Sequence, residues 1–403
     1  MLDWESSKNE ILLNPRFPKS QGEALLSALS GCLDQFQSHV FLMSSGTTGL
    51  SEESLKWVAL SKQAILASAA AVNRHLESHS SSQDIWVQSL PDFHVGGLGV
   101  WARSYLSGAQ VLRQLVWNPQ EFVALTQSHR ASLAALVPAQ IYDLVQAGLS
   151  APASMRAVLV GGGFFSETVF NKARALGWPV LPTYGMTEAC SQIATAPLGF
   201  ERYQTCQQGR FPKLQRLPHL QVRMSEDQTI EVKGESLFTT YIYQKEGRPV
   251  LSDPKTVEGW YRTQDRAIGM DSTSFIVLGR VTEFIKIGGE SVELSYLRSI
   301  LEEVKLTCLS IGAAEATEGA KGVDLDLHAI PDDRLGHIIG LVADQNLSTE
   351  AAQMLIQKFN EKVLPFERIR KFQSFVKLPR TALGKLISAQ LNHHCQSTDT
   401  HGG

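Results

Sequence analysis

Two short segments of the chain, and charged residues nearer its C-terminus, carry residue types suited to holding phosphate groups. The first, at residues 44–49, reads Ser-Ser-Gly-Thr-Thr-Gly and directly follows an apolar stretch. Its glycines let backbone N–H groups turn toward an anion, and its hydroxyls can donate to phosphate oxygens. It is not a Walker A motif, because no Gly-Lys-Ser/Thr ending follows. A polar turn is the alternative interpretation.

The second segment, at residues 184–188, reads Tyr-Gly-Met-Thr-Glu and follows a strand-like run. Open α/β sheets bind ligands beyond the C-terminal ends of their strands. Tyr184 offers an aromatic face for a purine, Thr187 a donor for a phosphate, and Glu188 a hard oxygen ligand for Mg²⁺. The alternative is a strand-to-loop corner with a buried tyrosine and a solvated glutamate.

Charged residues nearer the C-terminus supply the remaining chemistry. Asp265 can accept both hydroxyls of a ribose, and Arg280 can reach a ribose or a phosphate. Lys385 follows a turn that contains glycine, and a mobile ammonium there suits the charge that develops on an attacked α-phosphate. A surface ion pair is the alternative for Asp265, and a solvated side chain is the alternative for Lys385.

Two segments that contain glycine follow strand-like runs. Gly161, Gly162 and Gly163 expose backbone that a flat ligand can approach closely, although a simple turn explains such a triplet as well. His94 stands beside two glycines. Its ring could line a substrate tunnel or titrate near neutral pH, and a structural histidine is the alternative.

Composition narrows the class of protein. The chain has 403 residues, which predicts at least two domains. A formal net charge of −3, without clustered Lys and Arg, argues against nucleic acid as a partner. The five cysteines include no CxxC pair, so we expect neither disulfides nor a zinc site, and a reducing cytoplasmic compartment. We expect no signal peptide and no membrane span.

The elements that must position these residues alternate between helix and strand. Helix-like patterns at 61–76, 138–147 and 166–176 alternate with strand-like runs at 84–90, 109–112, 132–137, 157–160 and 179–184. This alternation predicts an α/β fold with a largely parallel sheet. Short alternating runs between residues 200 and 279, such as 221–224 and 229–233, predict an antiparallel β region.

A second pattern begins after residue 280. It predicts strands at 284–287, 306–312, 323–330 and 372–378, with helices at 293–304 and 349–363. We therefore expect a large N-terminal domain over residues 1–279, built of layered sheets and helices with a β region. A small, mobile α+β domain would follow over residues 280–403 and carry Lys385.

Taken together and in this order, the motifs resemble the adenylate-forming superfamily of acyl-CoA synthetases, luciferases and peptide-synthetase adenylation domains. Within it, the chain is most similar to the o-succinylbenzoate-CoA ligase family of menaquinone biosynthesis. The segments that carry this likeness read Tyr-Gly-Met-Thr-Glu-Ala-Cys-Ser-Gln-Ile-Ala-Thr at 184–195, Phe-His-Val-Gly-Gly-Leu at 93–98 and Leu-Val-Pro-Ala-Gln at 136–140.

The resemblance implies roles in a nucleotide site. The β- and γ-phosphates would be held by Ser44, Ser45, Gly46, Thr47, Thr48 and Gly49. The adenine would contact Gly161, Gly162, Gly163 and Tyr184, with Gly185 and Met186 beside it. Thr187 would bind the α-phosphate, Glu188 the Mg²⁺, and Asp265 and Arg280 the ribose.

The resemblance also implies catalytic and acyl-binding roles. Lys385 would assist adenylation together with Glu188, and His94 would gate the acyl pocket. Ser191 and Gln192 would contact the aromatic acid. The small domain would swing between two half-reactions, which brings Lys286, Gly288 and Gly289 to the site for thioester formation. The cofactors implied are ATP and Mg²⁺, with CoA as co-substrate.

The chain departs from the family pattern at several positions. The lysine that usually ends the phosphate loop is replaced by an acidic stretch, and Lys56 is the candidate substitute. Gln264 stands where a glycine usually precedes the ribose aspartate, and Thr282 stands at the hinge position. Family members have a longer N-terminal portion, so a homodimer is one way to complete the sheet.

The leading hypothesis is an ATP-dependent, AMP-forming o-succinylbenzoate-CoA ligase. One alternative is an acyl-CoA synthetase for another aromatic or fatty acid. The other is a nucleotide-binding homologue without catalysis, which the missing loop lysine would explain.

Overall fold

The computed structural model describes residues 2–15, 23, 26–27, 29–44, 56–80, 83–114, 116–163, 165–199, 213–245, 248–271, 273–280, 284–287, 290–311, 323–332, 334–380, 386–387 and 391. The chain divides into two compact units. Unit 1 holds most residues up to Val277, and unit 2 holds most residues from Leu278 onward. The exact domain ranges given above stay a prediction.

Strands and helices alternate between residues 10 and 280. The strands are β1 (Glu10–Leu12), β2 (His39–Ser44), β3 (Lys56–Ser61), β4 (Ile85–Gln88), β5 (Gln110–Arg113), β6 (Leu133–Leu136), β7 (Ala157–Val160), β8 (Val180–Met186), β9 (Ser191–Thr195), β10 (Leu214–Arg216), β11 (Leu220–Met224), β12 (Thr229–Gly234), β13 (Thr240–Lys245), β14 (Arg248–Ser252), β15 (Tyr261–Ile268) and β16 (Ser274–Arg280). The helices are α1 (Lys62–His75), α2 (Val95–Ser107), α3 (Pro119–Ser128), α4 (Pro138–Gln146) and α5 (Glu167–Ala175), and short 3-10 turns lie at Leu33–Gln35 and Thr187–Ala189.

The larger sheet has eleven strands in the order β11-β12-β15-β16-β10-β9-β8-β7-β6-β4-β5. Strands β5, β4, β6, β7 and β8 pair in parallel, whereas β8 pairs with β9, and β9 with β10, in antiparallel fashion. Parallel strands are covered on both faces and therefore read as continuous apolar runs. β6 and β7 fit this rule, since every residue in both is buried. The predicted α/β class is confirmed.

Helix boundaries follow local sequence signals. Ser61 caps α1 by accepting a hydrogen bond from the N–H of Ala64 at 3.1 Å, and Asn118 caps α3 in the same way. Gly108 ends α2 in the left-handed conformation, with φ of 71°. Because β4, β7 and β8 run in parallel, the segments that follow them lie at one edge of the sheet.

A second sheet of unit 1 has the order β1-β2-β3-β13-β14. Strand β3 pairs antiparallel with both β2 and β13, which sets Lys56 opposite Ser44 on one side and Tyr243 on the other. The ammonium of the buried Lys62 donates to the backbone oxygens of Asp3 at 2.6 Å and Ser6 at 2.8 Å, and so fastens the first residues to the unit.

Unit 2 has its own apolar core. Its elements are β17 (Phe284–Ile287), β18 (Glu290–Glu293), α6 (Leu294–Ile311), β19 (Leu325–Asp332), β20 (Gly336–Asp344), α7 (Thr349–Asn360) and β21 (Ile369–Phe375). Strands β17 and β18 form a hairpin, β19 pairs antiparallel with β20, and β20 pairs parallel with β21. Residues such as Leu297, Leu327 and Phe359 are fully buried between the helices and the sheet.

A charge network lies at the start of β19. Arg380 donates to both carboxylate oxygens of Asp324 at 2.8 Å and to Asp326 at 3.0 Å. Asp326 also accepts from Arg298 at 2.8 Å. Arg380 also forms an antiparallel bridge with Leu386.

The sequence patterns predicted most elements correctly and one strand wrongly. The predicted strand at 306–312 is wrong, because Leu306 to Ile311 form the last turns of α6. A short apolar run does not distinguish a strand from a buried helix. Helices α2 and α3 were not predicted; α2 contains three glycines, which lower helix propensity. No helix in the described part of the chain is long and apolar enough to cross a membrane.

Candidate active site

The turn between β8 and β9 has a strained backbone that brings predicted site residues together. A Cβ at position 185 would lie 1.8 Å from the carbonyl oxygen of Ser191, so only glycine fits there. The ladder shifts register between Tyr184 and Gly185. Cys190 and Ser191 have φ of 51° and 113°, a conformation that costs energy in residues with a side chain. Such strain is typical of functional sites.

Glu188 lies in the 3-10 turn that follows β8, and contacts hold it at two points. Its carboxylate oxygen Oε1 accepts a hydrogen bond from the hydroxyl of Tyr241 at 2.8 Å. Its backbone oxygen accepts from the N–H of Phe238 at 2.8 Å. Burial, and then the negative charge of Glu188, raise the pKa of Tyr241, which keeps this hydroxyl a donor.

Tyr184 and Asp265, predicted to hold adenine and ribose, are in direct contact. The Tyr184 hydroxyl donates to Oδ2 of Asp265 at 2.8 Å. The Tyr184 ring packs edge-on against Phe275, with centroids 6.2 Å apart, and this contact fixes the ring plane. The predicted adenine and ribose residues therefore belong to one constellation.

The glycine run at 161–163 follows β7 at the same edge of the sheet. A Cβ on Gly161 would lie 2.4 Å from Oγ1 of Thr183, the residue before Tyr184. Gly162 has φ of 81°, which favours glycine. The run therefore lets the segment after β7 lie directly against β8, near the predicted adenine contacts.

His94 precedes α2, and its ring is largely enclosed. The ring packs on Phe93 with centroids 4.7 Å apart, and Nε2 is buried without a hydrogen-bond partner among the described residues. Burial lowers the pKa of His94 to about 4. The imidazole is therefore neutral at pH 7, which suits a group that lines an acyl pocket and not a general acid.

Arg103, on α2, is a candidate site residue that the sequence motifs missed. Its side chain is 1% exposed, and one guanidinium nitrogen donates to Oγ of Ser191 at 3.2 Å. Within the described ranges no carboxylate lies within 4.0 Å of it, and its Nε has no partner. Burial lowers the pKa of Arg103 to about 10, so it stays charged at pH 7. An unpaired buried cation of this kind is costly and suits an anionic ligand.

The space around Arg103 is kept open by a glycine. A Cβ on Gly99 would lie 3.0 Å from the guanidinium and 3.7 Å from Oγ of Ser191. Gln192, the next predicted substrate contact, is buried, and its Oε1 accepts from Thr195 at 2.9 Å. The available signal for Arg103 was a single charged residue in an otherwise uncharged helix. Only the structure shows that this residue is buried without an acidic partner among the described residues.

Lys56 lies beside the same constellation. Its ammonium is 3.5 Å from the centroid of the Tyr241 ring, whose hydroxyl contacts Glu188. Ser44, at the start of the predicted phosphate loop, is its partner across the β2–β3 ladder. The candidate substitute for the loop lysine therefore lies opposite Ser44 in the ladder and packs on the tyrosine that contacts the predicted magnesium ligand.

Several predicted site residues lie outside the described residues, namely Ser45, Gly46, Thr47, Thr48, Gly49, Gly288, Gly289 and Lys385, as does the hinge residue Thr282. Ser44 and Lys286 are described by their backbone alone. Arg280 ends β16, Met186 ends β8, and Thr187 directly precedes Glu188 in the 3-10 turn. The roles of all these residues stay predictions.

The residues present are compatible with Mg²⁺ that arrives with a nucleotide. Within the described ranges no group of three or more His, Cys, Asp or Glu residues forms a metal cage. Mg²⁺ at such sites typically takes one or two carboxylates, with phosphates and water as its other ligands. Glu188, with one carboxylate oxygen held by Tyr241, would supply one such ligand.

Comparison with known proteins places this constellation in context. A family model described as "AMP-binding enzyme" matches residues 18–236. A 2-succinylbenzoate–CoA ligase of Bacillus pumilus (strain SAFR-032) is 27% identical over 324 residues, which cover 79% of this chain and 62% of that protein. A ligase of the same name from Listeria monocytogenes serotype 4b (strain F2365) is 27% identical and is covered to 63%. The chain thus spans less than two thirds of the length of these relatives.

Solved structures show the same fold. The o-succinylbenzoate CoA synthetase of Bacillus subtilis, in complex with the acyl-adenylate intermediate, superposes with a TM-score of 0.70 at 24% identity, covering 87% of this chain and 68% of that chain. The same synthetase in complex with ATP and magnesium ion gives a TM-score of 0.67 at 23% identity, covering 88% and 69%.

Proposed function

The chain belongs to the AMP-binding enzyme family, and on that premise we propose that it is an AMP-forming acid–thiol ligase specific for o-succinylbenzoate. In the first half-reaction a substrate carboxylate attacks the α-phosphate of ATP, which gives acyl-AMP and releases pyrophosphate. In the second, the thiol of CoA attacks the acyl carbon, which gives the thioester and releases AMP. The proposal extends to this chain what the names of its relatives say of them.

The observation that carries the substrate assignment is the unpaired guanidinium of Arg103. A ligase must bind the carboxylate that it activates, but that group is consumed at the α-phosphate. A buried cation elsewhere in the pocket has no role toward a simple fatty acid or benzoate. o-Succinylbenzoate has two carboxylates, so one remains to pair with Arg103 while the other reacts.

The position of Arg103 supports this assignment. Ser191, which the sequence predicts to contact the acyl substrate, touches the guanidinium, and Gly99 leaves space beside both. An entering carboxylate would satisfy the buried Nε and offset the desolvation of the cation. The alternative acyl-CoA synthetase for a monocarboxylic acid leaves that charge uncompensated.

The other residues of unit 1 would orient the nucleotide. Tyr184 and Asp265, which contact each other, would hold adenosine, and Thr187 would donate to the α-phosphate. Glu188 would hold Mg²⁺, which offsets phosphate charge when bound. The neutral His94 would line the acyl pocket and exclude water, and Lys385 would stabilise charge at the α-phosphate. Homodimerisation and a cytoplasmic location stay predictions.

The proposal is tested by CoA-dependent AMP formation from ATP and Mg²⁺. The acids compared are o-succinylbenzoate, benzoate and a medium-chain fatty acid, and Lys385→Ala serves as the inactive control. We expect turnover of o-succinylbenzoate and little of the other two. Preference for a monocarboxylic acid would reject the substrate assignment. Absence of turnover with every acid, together with ATP binding, would favour a homologue that binds nucleotide without catalysis.

A further inference from the structure

Tyr241 occupies a central place in unit 1 that the predicted motifs do not explain. Its hydroxyl lies 2.8 Å from Oε1 of Glu188 and 2.9 Å from the hydroxyl of Tyr261. The three residues come from the 3-10 turn after β8, from β13 and from β15. A single phenol thus links three separate segments beside the predicted magnesium ligand.

The direction of these hydrogen bonds follows from counting protons. A carboxylate accepts hydrogen bonds and donates none, and a phenol has one hydrogen to give. The hydrogen of Tyr241 therefore goes to Glu188, and the hydrogen of Tyr261 goes to the oxygen of Tyr241. The result is a one-way chain of donors that ends on Oε1 and leaves Oε2 available.

Packing holds this chain of donors in place. The ring of Phe238 lies 4.6 Å from that of Tyr241 and 5.2 Å from that of Tyr261, measured between centroids. The N–H of Phe238 also binds the backbone oxygen of Glu188. The ammonium of Lys56 covers a face of the Tyr241 ring at 3.5 Å. Glu188 is therefore fixed through both its backbone and one carboxylate oxygen.

We infer that Tyr241 is a positioning residue for Glu188: it fixes one carboxylate oxygen so that the other faces the divalent cation that accompanies ATP. The inference rests on the proposed function, because only that function brings a metal–nucleotide complex to Glu188. A partner that orients a metal ligand typically contributes about 10- to 100-fold to metal affinity. Tyr241 would supply this contribution without contacting metal or substrate.

The test measures Mn²⁺ binding in the presence of a non-hydrolysable ATP analogue, by the electron paramagnetic resonance signal of free Mn²⁺. We expect Tyr241→Phe, which removes only the hydroxyl, to weaken Mn²⁺ binding about 10- to 100-fold. The matched control is Tyr243→Phe. Tyr243 lies on the same face of β13, and its hydroxyl has no hydrogen-bond partner within the described ranges. We expect this control to bind Mn²⁺ as the wild type does.

A second variant separates positioning from a general loss of structure. Tyr261→Phe keeps the bond from Tyr241 to Glu188 and loses the donor behind it, so we expect a smaller loss of Mn²⁺ affinity than for Tyr241→Phe. Binding of the analogue without metal should be the same in all variants. If Tyr241→Phe weakens metal-free binding of the analogue as much as it weakens Mn²⁺ binding, the pocket is disturbed as a whole and the inference is overturned.

The outcomes distinguish this inference from the proposed function. Wild-type affinity for Mn²⁺ in Tyr241→Phe would overturn the role of Tyr241 and leave the proposed function untouched. If the wild-type protein itself binds no Mn²⁺–nucleotide complex, both the proposed function and the inference are rejected.

Discussion

Unit 1 contains a buried arginine and unit 2 a partly buried one, and their charges are compensated differently. In unit 2, Arg380 binds Asp324 and Asp326, and although burial opposes the charge, these two acids raise the pKa of Arg380 above its usual value. In unit 1, Arg103 is more deeply buried and has only the hydroxyl of Ser191 as a side-chain hydrogen-bond partner among the described residues. Acidic side chains within the fold compensate the charge of Arg380, whereas no carboxylate among the described residues compensates the charge of Arg103.

The difference separates charges that serve the fold from charges that serve a ligand. A buried ion pair must satisfy its own charges, because removing one partner leaves the other uncompensated. Unit 1 follows the same rule away from the site, where the buried Asp84 binds Arg156 through two bonds of 2.8 and 2.6 Å. The exception at Arg103 therefore indicates a missing anion, which we assign to the substrate.

The largest expected effect is the loss of an acid from the unit 2 network. Asp326→Ala removes a carboxylate that binds both Arg298 and Arg380. Breaking a fully buried pair typically costs about 3–5 kcal/mol, and we expect a loss near the lower end because these side chains are only partly buried. We expect faster hydrogen–deuterium exchange in peptides that cover β19 and β21, and unchanged exchange in β6 and β7. Wild-type exchange throughout would show that the network contributes little.

The response to acid should also differ between the units. Burial lowers the pKa of His94 and of His219 to about 4, so unit 1 loses stability as pH falls from about 6.5 toward 4. At pH 5.5 we expect each of these histidines to lower the free energy of unfolding by about 1 kcal/mol relative to pH 7. Burial raises the pKa of Asp326, but Arg298 and Arg380 outweigh it and lower that pKa, so its contribution persists until pH falls below about 4.

The measurement for this second prediction is hydrogen exchange at pH 7 and pH 5.5, corrected for the intrinsic rate. Protection in β4 and β9 of unit 1 should fall, and protection in β19 should not. An equal loss of protection in both units would contradict the assignment of the acid sensitivity to His94 and His219. His94→Gln should remove part of the pH dependence in unit 1.

A smaller effect, of opposite sign, is expected for stability when Arg103 is replaced. Arg103→Met removes an unpaired buried charge and keeps most of the side-chain volume. Replacing buried charges by apolar groups is often neutral or stabilising, and we expect about 1–2 kcal/mol of added stability without ligand. Urea denaturation of both proteins measures this. A loss of several kcal/mol would mean that Arg103 has a structural partner and would remove the contrast with Arg380.

The smallest expected effect concerns Lys56. If its ammonium replaces the usual loop lysine, Lys56→Met should raise the KM for ATP about tenfold, which corresponds to about 1.4 kcal/mol. Lys56→Arg should retain most of the affinity. The matched control is Lys255→Met, which should leave the KM unchanged. The ammonium of Lys255 lies 4.3 Å from the Phe238 ring and binds two backbone oxygens. An unchanged KM in Lys56→Met would exclude the substitution.

The sequence predicted the fold class and named residues, such as Tyr184 and Asp265, that the structure brings together. The alternation of helix and strand patterns sufficed for the fold class, and the run from Tyr184 to Glu188 sufficed to locate the turn after β8. Both depend on local sequence patterns and turn residues. The hydrogen bond between Tyr184 and Asp265 agrees with their shared nucleotide role. Arg103 and Tyr241 were missed for a physical reason: neither stands in a distinctive motif. Their importance lies in burial and in contacts to residues 88 and 53 positions away.

The central claim, that Arg103 binds the unreacted carboxylate, is tested most directly by a cycle between residue and substrate. We would measure kcat/KM for o-succinylbenzoate and for its two monocarboxylate analogues, 4-oxo-4-phenylbutanoate and 2-butanoylbenzoate, in wild type and Arg103→Met. We predict that wild type prefers the dicarboxylate by about 100-fold or more, since a buried charge pair contributes about 2–5 kcal/mol. Arg103→Met should lose this preference over the analogue that keeps the reacting carboxylate, whereas the analogue that lacks it stays a poor substrate of both proteins. A preference over the first analogue that survives the substitution would contradict the account.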